Sequence, residues 1–143
     1  MDFLNEIDLY LRAKATLMIV ISAEEERILE ELKTLCLNTG RSCVSWDIAD
    51  GFQSVCGDLL PAGGRDPLTA LEQIEKADAR QPSLYILKDF NEFWENTTVK
   101  RKLRTLAEQL KFTKKSIVIT AASARIPVEL LDESVILDYP LPN

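Results

Sequence analysis

Five short stretches of this chain are dominated by apolar, often β-branched residues: 16–22 (TLMIVIS), 42–47 (SCVSWD), 83–89 (SLYILKD), 116–120 (SIVIT) and 134–139 (SVILDY). The strongest of them show no polar alternation, so neither face of such a strand can be left in water. Segments with the apolar spacing of helices run between them. Strand therefore alternates with helix, and parallel strands joined by helical crossovers are the arrangement that buries both faces. The pattern predicts a single α/β domain over residues 1–143, built on a five-stranded parallel sheet flanked by helices.

Local signals place the helices. Asp2 can cap a first helix with Phe3, Ile7, Tyr10 and Leu11 on one face. Ser22 and Glu25 have the spacing of a capping box, followed by the stripe Ile28, Leu29, Leu32, Leu35 and Cys36 and by Gly40 as a stop. Asp66 and Pro67 open another helix, and Val99, Leu103, Leu106, Ala107 and Leu110 mark the apolar face of a fourth. Pro127 begins a short helical turn. The stretch 48–65 holds four of the five glycines and reads as an irregular loop, expected to be the most mobile part of the chain.

Composition removes several chemistries. There is no histidine, which excludes Ser-His and Cys-His pairs, histidine bases and most transition-metal sites. Cys36, Cys43 and Cys56 show no C-x-x-C spacing and read as reduced thiols of a cytosol-like compartment, Cys36 as a small buried hydrophobe. Nothing near Cys56 in the sequence would lower its pKa. No apolar run approaches the roughly 20 residues of a membrane helix, and the first residues carry acids where a signal peptide carries bases. The expected location is the cytoplasm.

An apolar strand ending in an aspartate, as LYILKDF does at Asp89, is how many nucleotide hydrolases hold magnesium. The rest of such a site is missing. A phosphate-cradling loop needs glycines and a lysine after the first strand, whereas Glu24, Glu25 and Glu26 stand there and would repel a triphosphate. Phe90 occupies the place of a water-orienting glutamate. Asp89 therefore reads as a strand-end cap or turn former. No residue is assigned a catalytic, cofactor-binding or metal-binding role, and the chain itself is expected not to be an enzyme. Phe90, Phe93 and Trp94 read as a hydrophobic plug over the strand end, and Trp46 as core.

This order of parts resembles the core of an AAA-type ATPase that has lost its nucleotide site, with Ser123 near the family's sensor position. The stretches LRAKATLMIVISAEEERILEEL, LYILKDF, RKLRTLAEQL and SIVITAASARIPVELLDESVILDYPLPN look like the N-terminal region of the AAA ATPases encoded in cyanobacteria and algal chloroplast genomes, the hypothetical chloroplast reading frame class. The resemblance implies a strand order of fifth, first, fourth, third, second. It also implies an intact AAA domain after residue 143 that binds ATP and magnesium, a link to photosynthesis or carbon use, and a chloroplast stroma as the alternative location. The abrupt end at PLPN agrees with a longer parent.

In a chain of net charge −6, residues 100–115 carry seven bases and only one acid, Glu108. A solvated outer face is the plainer reading. The alternative is an interaction surface, with Lys100, Arg101, Arg104 and Lys111 as candidates, that meets a protein partner, the parent's own ATPase domain or a neighbouring copy in a homo-oligomeric ring. An RNA-binding adaptor would need interleaved aromatics that are absent here, and no membrane contact is expected. A receiver or flavodoxin-like signalling domain would need acids or a hydroxyl-rich loop after the first strand, where Ile21 and Ser22 lead into glutamates.

Overall fold

The computed structural model describes residues 2–78, 80–123 and 125–139; the closing PLPN at 140–143 lies outside the described residues. In chain order the elements are α1 (Phe3–Arg12), β1 (Leu17–Ile21), α2 (Glu25–Thr39), β2 (Ser42–Asp47), β3 (Gly51–Cys56), α3 (Pro67–Lys76), β4 (Ser83–Lys88), α4 (Thr97–Gln109), β5 (Lys115–Ala121), α5 (Val128–Leu131) and β6 (Val135–Asp138). They form one six-stranded sheet in the order β3-β2-β4-β5-β1-β6. Neighbouring strands are parallel except β2 and β3. The five predicted strands are present in the expected order.

The sheet is mixed rather than purely parallel. The correction falls in the stretch 48–65, where β3 pairs antiparallel with β2 from Asp47↔Gly51 to Cys43↔Cys56. A hairpin turn makes this possible. Asp47 Oδ1 accepts from the backbone N–H groups of Ala49 and Asp50 at 2.9 and 2.8 Å, and Gly51 takes φ 71°, a conformation that costs glycine nothing. Beyond β3 the chain folds back, and Trp46 Nε1–H donates to the Gly64 carbonyl at 3.1 Å.

The capping box also differs from expectation. Ser22 N–H is bound to the Ala121 carbonyl of β5 at 2.8 Å, so it cannot receive the Glu25 carboxylate. Instead Ser22 Oγ accepts from Glu24 N–H at 2.9 Å and α2 starts after Glu24. The other caps form as the sequence suggests: Asp2 and Asp66 accept from Asn5 and Thr69 N–H, and Gly40 ends α2 in the left-handed region.

Alternate side chains of the inner strands feed two cores. Leu17, Ile19, Tyr85, Leu87, Ile117 and Ile119 pack against α3 and α4 through Leu71, Ile74, Leu103 and Leu106. Met18, Val20, Leu84, Ile86 and Val118 pack against α1 and α2 through Ile7, Ile28 and Leu32.

One basic residue lies inside. Lys115 is 3% exposed, and its Nζ donates to the carbonyls of Ile74, Glu75 and Ala77 at 2.8, 3.0 and 2.9 Å. It closes the C-terminal end of α3, where helix carbonyls have no partners of their own. Burial lowers its pKa against the pull of Glu75 and Asp78. Replacing it removes charge-assisted bonds and strands carbonyls out of water, a loss of about 2–3 kcal/mol. Lys115→Met is therefore expected to lower the urea midpoint markedly. The exposed neighbour variant Lys114→Met should stay within about 0.5 kcal/mol of the parent chain.

Candidate functional site at the strand ends

Open α/β sheets place ligands beyond the carboxyl ends of their parallel strands. Here β1 ends at Ile21 and turns through Ser22, Ala23 and Glu24 into α2, while β4 ends at Asp89 and β5 at Ala121. The cavity between them measures about 210 Å³ and is lined by Ser22, Ala23, Glu25, Asp89, Thr120, Ala121 and Ala122. Ligand pockets commonly hold about 300–1,000 Å³. This one is smaller than that range.

Its electrostatics are also wrong for phosphate. Burial raises the Glu25 pKa first; the charges of Asp89, Asp47 and Glu26 raise it further, and Lys88 opposes them. Lys88 itself leans toward Asp47 at 3.7 Å. Among the described residues no group of three or more Cys, Asp or Glu side chains is arranged to hold a metal ion.

Asp89 forms a turn, as expected, though its side chain caps nothing. Its backbone adopts φ 55°, its N–H donates to the Thr120 carbonyl at 2.8 Å, and its carbonyl accepts from Glu92 N–H at 3.0 Å. The turn sends Phe90 back into the core. Phe90 and Trp94 are buried and Phe93 is half-buried. The rings of Trp46, Phe90 and Phe93 meet edge to face at 5.7–5.9 Å. Ser123, just beyond β5, receives Asn91 Nδ2–H at its carbonyl.

The basic stretch is largely answered from within the molecule. Lys100 pairs with Glu129 at 2.6 Å, Lys102 with Glu75 at 2.7 Å and Lys111 with Glu133 at 3.1 Å. Arg101 is exposed, and Arg104 is half-buried with its charge near Glu129. Sequence spacing could not reveal these pairs, because Glu129 and Glu133 lie far along the chain on the segment around α5.

A mixed sheet whose parallel strands run in this order, with an acidic cleft at their carboxyl ends, has the architecture of an AAA-type domain. Comparison with known proteins agrees. The profile of the family described as "SpoVK-like AAA ATPase, N-terminal domain" matches residues 3–139, and the chain belongs to that family. It is 38% identical to the AAA domain-containing protein ycf46 of Guillardia theta, covering all of this chain and 28% of that protein. It is 36% identical to the ycf46 protein of Trieres chinensis (99% of this chain, 29% of the other) and 33% to that of Pyropia yezoensis (100% and 29%). The chain thus spans less than a third of these relatives. The family description places domains of this kind at the N-terminus of AAA ATPases.

The Glu25 environment makes a prediction. Its folded pKa lies above the unfolded value, so the folded state loses stability as pH rises through that window. Glu25→Gln should raise Tm at pH 7 and lose most of that advantage at pH 4, below the ordinary glutamate range, where the Glu25 carboxyl is mainly protonated in the folded and the unfolded chain alike; thermal melts at the two pH values measure it.

Proposed function

We propose that this domain is a non-catalytic interaction and assembly module of its parent ATPase, working through its surfaces rather than through a ligand of its own. The observation that carries this reading is the acidic strand end. Glu25 and Asp89 line the cleft where a phosphate loop and its nucleotide would sit, while Phe90 and Trp94 pack into the core behind the Asp89 turn. On this reading an intact AAA domain follows residue 143 in the parent and supplies ATP and magnesium binding. The resemblance to cyanobacterial and chloroplast proteins suggests that the parent acts in photosynthesis or carbon use.

The module has opposed charges to offer. Glu24, Glu25 and Glu26 open α2, while Arg101 and Arg104 stand on α4 with Lys100 and Lys111 shared with their internal partners. A basic face on one copy meeting an acidic face on the next, or on the catalytic domain, is a heterologous contact of the kind that closes rings. Exposed pairs contribute only about 0.2–1 kcal/mol each. The isolated domain is then monomeric at physiological salt and associates when tethered to its ATPase half.

Two measurements test this. Calorimetry of the isolated chain with ATP and magnesium should detect no binding; micromolar affinity that disappears in Asp89→Asn would defeat the proposal. In the full-length parent, joint reversal of Arg101, Arg104 and Lys111 to glutamate should weaken assembly and lower the ATPase rate. Unchanged assembly and rate would reduce the helix to a solvated face.

A further inference from the structure

The chain's three cysteines lie far apart in sequence, on α2, β2 and β3, yet they converge on one side of the sheet. Cys36 and Cys43 are wholly buried in the core beneath α2, and Cys56 packs against the same core while remaining half-exposed. Cys36 and Cys43 share this core, and Cys56 Sγ–H donates to the Arg41 carbonyl at 3.5 Å.

A backbone irregularity produces this meeting. Along the hairpin Asp47 faces Gly51, Trp46 faces Phe52, Ser45 faces Gln53 and Val44 faces Ser54. A regular ladder would then set Cys43 opposite Val55 and Cys56 opposite Ser42, with Cys56 on the other face of the sheet. Instead the register shifts between Cys43 and Val44, and Cys43 faces Cys56. The bulge at Val55 re-aims Cys56 toward α2. Directly facing residues of an antiparallel pair have Cα atoms about 4.5–5.5 Å apart, inside the range a disulfide spans.

We propose that Cys56 and Cys43 form an oxidisable dithiol, entered from solvent at Cys56 and closed by Cys43, whose natural oxidant is a small disulfide. Only Cys56 is open to a reagent. Its thiolate attacks one sulfur of the small disulfide, forming a mixed disulfide and expelling one thiolate. Cys43 then attacks Cys56 Sγ and expels the second thiol. The protein loses two electrons and two protons, and the small disulfide becomes two thiols.

The proton of Cys43 leaves with the expelled thiol. The interaction with Cys36 and burial push the Cys43 thiol pKa up. The product ties β3, the antiparallel edge of the sheet, covalently to β2.

The experiment uses the reduced, folded chain incubated with oxidised glutathione at neutral pH, followed by alkylation and peptide mapping. The expected result is loss of two hydrogens and a Cys43–Cys56 cross-link, with a raised Tm that reverts on reduction. Cys56→Ser should abolish the cross-link, and Cys36→Ala should still form it. Three outcomes would overturn the proposal: persistent glutathione on Cys56 with no internal cross-link, a cross-link to Cys36 in place of Cys43, or thiols that all stay reduced. Mapping of the parent chain needs no variant to fold, so each of these outcomes is decisive.

Discussion

The inner strands β1, β4 and β5 are buried on both faces along almost their whole length, and the rest of the molecule follows from covering them. A strand of this kind has no solvated side, so it needs a helical layer above and below and a hydrogen-bonded neighbour on each edge. That requirement makes the crossovers helical and sets α1 and α2 against one face, α3 and α4 against the other. It also leaves two open ends where strand and helix termini expose backbone polar groups. Lys115 serves one end by capping α3 with its ammonium group. The Asp89 turn and its aromatics serve the other.

How much of this could be read from the residues depended on the range of the signal. Apolar runs and helical stripes are local, so the parallel strands and the main helices were legible with their boundaries within a residue or two. β3 was not, because GFQSVC lies at an edge and needs no continuous apolar character; the Asp50-Gly51 dipeptide at its start was the available hairpin signal. The Ser22 capping box failed because its donor was already claimed by β5, a tertiary fact. Lys115 looked like one more exposed base, and only the fold brings the end of α3 to it. The convergence of Cys36, Cys43 and Cys56 was hidden for the same reason, since a one-residue bulge decides which face Cys56 takes.

The strand end has the outline of a phosphate site with a different lining. A phosphate site depends on unsatisfied backbone N–H groups, a positive helix end and room for the ligand. Here carboxylates complement the helix end, Ser22 binds one of the free N–H groups, and the remaining space is about 210 Å³. The Ser22 bond favours the folded state, whereas the partly buried Glu25 carboxylate costs it stability at neutral pH.

Asp89 is the one feature that still resembles a poised site, because left-handed backbone at a non-glycine residue often marks functional strain. Magnitudes decide against that reading. The conformation costs roughly 1–2 kcal/mol, less for aspartate, which adopts it more readily than most residues. The turn it makes is what directs Phe90 inward, and full burial of a phenylalanine side chain gains about 1.5–3 kcal/mol. Edge-to-face contact with Trp46 and Phe93 adds about 0.5–1.5 kcal/mol for each ring pair. Packing alone offsets the strain. The backbone at Asp89 is therefore held by the core behind it, and no substrate is required to account for its shape.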